Sequence, residues 1–221
     1  FLFWISLLLE INIYRWILIL NKFYLKIEKE LFSRKKSFVN DMSASNKNLN
    51  IKIEDKKYKI AAVLFPLIEK NKKVNVILTT RSKDVASHPG QVCFPGGKLD
   101  KKDKNIVDCA KREAFEEVGI KNSQIKILGQ IDQCITGTNY KVTPIIALIN
   151  SNYIPSIQEA EVADLFEVPF EFFLDKNNLK RKNAEYKGKH YSYYQYNWKN
   201  KKIWGSTARM IVNFCEIMKL Y

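Results

Sequence analysis

The strongest chemical signal in the sequence is Arg112-Glu113-Ala114-Phe115-Glu116-Glu117-Val118-Gly119-Ile120. Asn105–Val118 has helical periodicity and stops at Gly119, a residue suited to the left-handed position just past a helix. At about 100° per residue, Glu113, Glu116 and Glu117 fall inside one arc of about 100°. Three like charges at i, i+3 and i+4 repel by about 0.2–0.5 kcal/mol per pair in an isolated helix. Solvation tolerates that, so an ordinary acidic face is one reading. The other is a grip for a hard divalent cation, because Mg²⁺ takes oxygen ligands and binds together with phosphate groups. Val107, Ala110, Ala114, Phe115 and Val118 cover the neighbouring arc and are expected to pack on a sheet.

Such a helix needs a sheet behind it and a loop in front. Tyr58–Leu67 and Val74–Thr80 are apolar, β-branched runs joined by the turn-like Glu69-Lys70-Asn71-Lys72, which predicts a hairpin. Ser82–Lys104 reads as a long loop punctuated by His88-Pro89-Gly90 and Phe94-Pro95-Gly96-Gly97, with His88 exposed. Ile125–Ile135, Lys141–Ile149 and Leu165–Val168 read as further strands, the last ending at Pro169. Tyr191–Trp198 alternates aromatic and polar residues, with Lys202–Trp204 as its hairpin mate. Thr207–Leu220 reads as an amphipathic helix capped by Ser206. The interleaving predicts one α/β domain over residues 51–221, with a mixed central sheet covered by helices on both faces.

The whole chain has 221 residues, 46% of them hydrophobic and 27% charged, which excludes a wholly disordered protein. Lys+Arg 37 against Asp+Glu 23 gives a net charge of +14, which suits an anionic partner. The basic residues are six arginines and 31 lysines, a skew that an AT-rich coding sequence also produces. Cys93, Cys109, Cys134 and Cys215 are scattered, and with only two histidines they build neither a zinc knuckle nor a disulfide scaffold. They read as reduced thiols of an intracellular protein. Residues 1–50 stand apart. Phe1–Leu20 is an apolar run broken by Glu10, Asn12 and Arg15, long enough for a membrane span. It reads as a translated stretch upstream of a start at Met42, as an anchor, or as an amphipathic helix. Residues 21–50 read as a polar, basic tether outside the domain.

Gly97 followed by Arg112 to Ile120 resembles the Nudix box, G-x5-E-x7-R-E-U-x-E-E-x-G-U with U aliphatic. The second half matches throughout. In the first half, Gly97 and Arg112 stand one residue further apart than in the common form, and Asp103 is the acid nearest the first glutamate position. A second motif lies upstream. Leu78-Thr79-Thr80-Arg81-Ser82, Gly90 and Phe94-Pro95-Gly96-Gly97 resemble the LLTxR[SA]x3Rx3Gx3FPGG signature of coenzyme A diphosphatases within that family. The signature's second arginine is Ala86 here; Lys83 and Lys98 are the neighbouring cations that could compensate. The likeness runs from about Tyr58 to Met218 and is nearest to the peroxisomal branch.

This resemblance implies a Nudix fold, an α/β/α sandwich. It implies metal-dependent hydrolysis of CoA and acyl-CoA esters at their diphosphate, giving 3′,5′-ADP and 4′-phosphopantetheine or its acyl form. Glu113, Glu116 and Glu117, with Gly97, would hold Mg²⁺ or Mn²⁺, and Arg112 would orient a glutamate by an ion pair. Arg81, Ser82, Gly90, Phe94, Gly96, Gly97 and Lys98 are the substrate-binding candidates. Glu161 is the candidate general base, with a plain exposed acid as the alternative. Asp175–Lys202, basic and aromatic, either holds the 3′-phosphate and adenine or is simply a half-buried strand with solvated lysines. Other nucleoside diphosphate derivatives (ADP-ribose, a dinucleotide) and an RNA-binding or decapping protein are the competing readings, with no nucleic-acid partner expected. A monomer is the favoured state, and the resemblance suggests a peroxisomal location, although the chain ends Lys219-Leu220-Tyr221 and not in a peroxisomal tripeptide; the cytoplasm is the runner-up.

Overall fold

In the computed structural model, which describes residues 20–33, 37–40, 58–186 and 189–220, the chain opens with α1 (20–33) and β1 (Phe38–Asn40). There follow β2 (Lys59–Lys70), β3 (Lys73–Arg81), β4 (Val92–Cys93), β5 (Gly96–Lys98) and α2 (Ile106–Val118). Next come β6 (Ile125–Gln130), β7 (Gln133–Ile135), β8 (Tyr140–Ile149), β9 (Val162–Pro169) and the short α3 (Phe170–Leu174). β10 (Lys180–Tyr186), β11 (Lys189–Trp198), β12 (Lys201–Trp204) and α4 (Gly205–Ile217) complete it.

Strict alternation along the central strands fixes two buried faces. In β2, Ala62, Leu64 and Ile68 join Ile77 of β3 and Ile145, Ala147 and Ile149 of β8 against Cys109, Ala110, Ala114 and Val118 of α2. The intervening Ala61, Phe65 and Leu67, with Val76, Leu78, Val142 and Ile146, face α4 and α1. The main sheet runs β1-β7-β8-β2-β3-β4, with β5 on β2, β6 on β8 and β9 on β3. β2 and β8 are parallel, from Lys59↔Tyr140 to Ile68↔Ile149, and β2–β3 is an antiparallel hairpin, so the sheet is mixed. The hairpin turns through Asn71 and Lys72, both at positive φ as a tight two-residue turn requires. The α/β sandwich expected from the sequence is the fold observed.

Local differences have local causes. The run Ile125–Ile135 divides at Ile131 and Asp132 into β6, whose ladder with β8 bulges between Ile127 and Gly129, and β7. β10 was not foreseen; it pairs antiparallel with β11, forming a separate three-stranded sheet with β12. On β11, Tyr194, Tyr196 and Trp198 turn toward the core, with Tyr196 fully buried edge-on to Phe173 at 5.1 Å, so these aromatics pack as a half-buried strand. α4 begins at Gly205 with Trp204 at its cap position, so Ser206 lies inside the helix and does not cap it. Phe115, expected to pack on the sheet, points outward at 55% exposure, because the sheet side of α2 is filled by Cys109, Ala110, Ala114 and Val118.

The tether expected at residues 21–50 is corrected where the structure describes it. Leu20, Tyr24, Ile27 and Leu31 are spaced along one side of α1 and buried in the core that also holds α4. Leu31 lies so close to Gly129 that a Cβ there would meet Leu31 Cβ at 2.7 Å. The Lys26 ammonium donates to the Met218 carbonyl at 3.0 Å, and Lys126 pairs with Glu28 at 2.8 Å. β1 then pairs parallel with β7. Asp132 clamps the junction, accepting from the Ser37 amide at 2.9 Å and from Asn213 Nδ2 at 3.0 Å. No helix among the described residues is long and apolar enough to cross a membrane; the apolar run over 1–19 and the Met42 region lie outside them.

Ile27 has no exposed surface, so Ile27→Ala should cost about 2–5 kcal/mol of stability, read from the midpoint of urea unfolding. An unchanged midpoint would contradict the docking of α1.

Candidate active site

α2 is positioned at both ends by its own sequence. The Asn105 side chain accepts from the amides of Val107 and Asp108 at 2.9 and 3.0 Å, capping the start. Gly119 closes the helix at φ 75, where its amide and that of Ile120 return to the carbonyls of Phe115 and Ala114. The following loop is tied to the same end. The Tyr153 hydroxyl and the Ser156 amide donate to the Val118 carbonyl, and the Gln158 amide to the Glu117 carbonyl. This loop delivers Glu161, whose carbonyl accepts the Ser82 amide at 2.9 Å.

β5 crosses the acidic side of α2 at very short range. A Cβ on Gly97 would stand 2.5 Å from the Glu113 carboxyl carbon, and one on Gly96 would stand 2.4 Å from the Ala62 carbonyl. Only glycine permits that approach. The Gly96 amide donates to Glu117 Oε2 at 3.0 Å. Glu117 is 3% exposed, and burial pushes its carboxyl up to about 8; the Gly96 hydrogen bond opposes the rise, and the Glu113 charge adds to it. Glu113 is raised for the same first reason, against the pull of Arg112 and with the repulsion of Glu116 and Glu161. Glu113 and Glu117 of α2 and Glu161 of the loop before β9 thus crowd one another electrostatically, with Arg81 the cation that relieves Glu117.

The ion pair expected of Arg112 is present and larger than foreseen. Nε and Nη2 grip Asp103 at 2.8 and 2.9 Å, Nη1 reaches Glu113 Oε1 and Glu116 Oε2 at 2.8 Å each, and Nη2 reaches the Lys98 carbonyl at 3.1 Å. The five guanidinium N–H groups are satisfied, which a lysine could not reproduce. Arg112 holds the Asp103 carboxyl down to about 2. Asp103 is the residue whose part in the site the sequence left unassigned; the one-residue extension of the loop before α2 hid its register.

The upstream motif folds back to the same place. The Arg81 amide donates to the Gln91 carbonyl, the Gly90 amide to the Arg81 carbonyl, and Arg81 Nε to the Ser87 carbonyl at 3.1 Å. Gly90 turns the loop at φ 71, and His88 is exposed as expected. Two of the substrate-binding candidates are buried in this structure. Phe94 is 1% exposed and stacks on Phe65 with ring centroids 4.4 Å apart, so it anchors the loop and offers no surface to a ligand. Ser82 is 6% exposed, and its hydroxyl is engaged by the Asp84 amide at 3.3 Å. Lys98 is exposed beside Gly97, and Glu161 is exposed at the edge of the cluster.

Among the described residues, no three acidic, histidine or cysteine side chains stand converged as a finished metal shell. Glu116 is turned outward to Arg112 and to Lys102 at 3.5 Å. The chemistry of the donor set nevertheless fits a hard divalent cation: the carboxylates of Glu113, Glu116 and Glu117 offer oxygen donors, and the nearby thiol of Cys109 is occupied with the carbonyls of Gly97 and Lys98.

Because the folded-state value of Glu117 lies above its ordinary 4.5, the metal-free fold binds that proton more tightly than the unfolded chain does. The contribution of Glu117 to stability should then be fully present below pH 4.5 and be lost as pH rises toward about 8, by a few kcal/mol in order of magnitude, whereas that of Asp103 is lost only in acid. Glu117→Gln should flatten the decline in melting temperature between pH 5 and pH 8; an equal decline in the variant would refute this origin.

Comparison with known proteins agrees with the geometry. The NUDIX domain model matches residues 57–189. Uncharacterized Nudix hydrolase NudL of Photorhabdus laumondii is 40% identical over 151 residues, covering 68% of this chain and 80% of that protein. NudL of Yersinia pestis is 36% identical over 156 residues, covering 71% and 78%. A C. elegans Ap4A hydrolase binary complex is similar in structure, with TM-score 0.43 and 20% identity over 50% of this chain and 80% of that one. These NudL relatives are bacterial and lend no support to a peroxisomal location. The NUDIX match and the NudL relatives show that the chain belongs to the Nudix hydrolase family.

Proposed function

We propose that this chain, as a member of a family that acts on nucleoside diphosphate derivatives and generally uses a divalent cation, typically Mg²⁺, hydrolyses the diphosphate of coenzyme A and its acyl esters with Mg²⁺ or Mn²⁺. The observation that carries the proposal is the placement of Arg81. The Leu78–Gly97 motif closes on itself and pins Arg81 at Ser87, where its charge acts on Glu117 and Cys93 beside the Gly96–Gly97 crossing.

In this reading Glu113 and Glu117 would hold the cation, and Glu116, now turned to Arg112 and Lys102, would be a further oxygen donor. When bound, the cation offsets phosphate charge and makes a water molecule more acidic. Gly96 and Gly97 let β5 lie against Glu113 and β2, which holds the ligand carboxylates beside the loop, and Arg81 faces the negative charge of the diphosphate. Arg112 is a positioning residue, fixed by Asp103 so that Glu113 and Glu116 stay aligned. Glu161 takes the proton from the attacking water. The water oxygen bonds to one phosphorus, the bridging P–O bond breaks, and the other phosphate leaves with that oxygen. The products are 3′,5′-ADP and 4′-phosphopantetheine, or its acyl form. The thiol end of the substrate plays no part in the reacting centre, so acyl esters are cleaved too.

A panel of CoA, acyl-CoA, ADP-ribose, NADH and capped RNA with Mg²⁺, with products read by mass, should give 3′,5′-ADP and phosphopantetheine as the preferred reaction. Preferred cleavage of ADP-ribose would contradict the substrate assignment. Glu117→Gln should lower kcat at least 10³-fold with the fold retained by circular dichroism, and retained turnover would remove Glu117 from the metal site.

A further inference from the structure

Lys59, Tyr140 and Lys98 meet at the end of the sheet that adjoins the site. Tyr140 lies directly opposite Lys59 on the parallel β2–β8 pair, and Lys98 lies opposite Ala61, two residues along β2 on the same face. The Lys59 ammonium stands 5.7 Å from the centre of the Tyr140 ring, and the Lys98 ammonium 6.0 Å from it. Both lysines are exposed, whereas the ring is partly buried and packed against the core beneath. No carboxylate pairs with either ammonium among the described residues. Two like charges held around one ring repel each other, and an anion placed between them would relieve that repulsion.

Lys98 is also part of the reacting loop. It follows Gly97, and its carbonyl accepts from Arg112 Nη2. A charge recognised here is therefore covalently close to the diphosphate cradle, on the side away from α2. The competing place for a second phosphate is the lysine-rich sheet β10–β12, where Lys202 lies over the Tyr193 and Trp204 rings at 6.0 and 4.9 Å. That sheet is separate from the one carrying Gly96 and Gly97, its Tyr194, Tyr196 and Trp198 pack inward, and Lys201 is engaged by Asp164 and Thr80.

We infer that Lys59, Tyr140 and Lys98 form a second anion subsite, which takes the ribose 3′-phosphate of the substrate; this rests on the CoA reading. The tyrosine ring backs the phosphate and limits the directions in which the two ammoniums can swing.

The test is calorimetric titration of the full chain with 3′,5′-ADP and with 5′-AMP, which differ by that one phosphate. The wild-type protein should bind 3′,5′-ADP at least tenfold more tightly. K59Q/K98Q should bring the two ligands within twofold, and K59R/K98R should keep most of the preference; melting temperatures check that each variant is folded. A preference that survives K59Q/K98Q overturns the subsite while leaving the CoA reading standing. So does a wild-type protein that cleaves CoA selectively yet shows no preference. A wild-type protein that neither prefers 3′,5′-ADP nor cleaves CoA ahead of ADP-ribose overturns both.

Discussion

The close crossing of β5 over the acidic side of α2 is the constraint on which the rest of the site depends. Two glycines bring backbone within contact distance of Glu113 and Glu117, and a side chain at either position would collide with Glu113 or with β2. The crossing dehydrates the carboxylates, which is costly for a charge and raises their proton affinity. One amide hydrogen bond from Gly96 and the charge of Arg81 offset only part of that cost. The fold therefore keeps carboxyl groups in a setting that disfavours their charged form, pressed against backbone that carries no side chain. A protein selected for stability alone gains nothing from this arrangement, and strained or uncompensated groups concentrate where function needs them.

Around this crossing the structure separates rigid from adaptable parts. Arg112 belongs to the rigid part: its bidentate grip on the buried Asp103 carboxylate fixes the guanidinium before any ligand arrives. Glu113 and Glu116 then share one nitrogen of a cation that cannot move. Glu116, almost half exposed, keeps the freedom to change partners. The loop from Arg81 to Gly97 shows the same division. Phe94 roots it on Phe65, while residues from Lys83 to Gly90 are mostly exposed and held by backbone turns.

Much of this was legible in the sequence, for physical reasons that can be named. α2 was readable because its apolar spacing, its Asn cap and its closing glycine agree. The hairpin and β8 were readable because both of their faces are apolar. β10 was not, since Lys-Arg-Lys-Asn-Ala-Glu-Tyr has no apolar alternation and forms a strand only through its partner β11. α1 carried its signal at Leu20, Tyr24, Ile27 and Leu31, but the lysines between them and the methionine at 42 favoured a tether. Phe94 was assigned to the ligand through its motif, whereas the structure puts it under the loop. Asp103 needed the loop's conformation, because its partner stands nine residues away and only the turn at Asp100–Asp103 brings them together.

The central claim is that Glu113 and Glu117 are crowded in order to hold a hard cation. Titration with Mn²⁺, followed by electron paramagnetic resonance of the free ion, tests this without reference to any substrate. The wild-type chain should bind Mn²⁺ with a sub-millimolar Kd at neutral pH, and Glu113→Gln and Glu117→Gln should each weaken that binding at least tenfold. Equal Mn²⁺ binding by all three proteins would contradict the account.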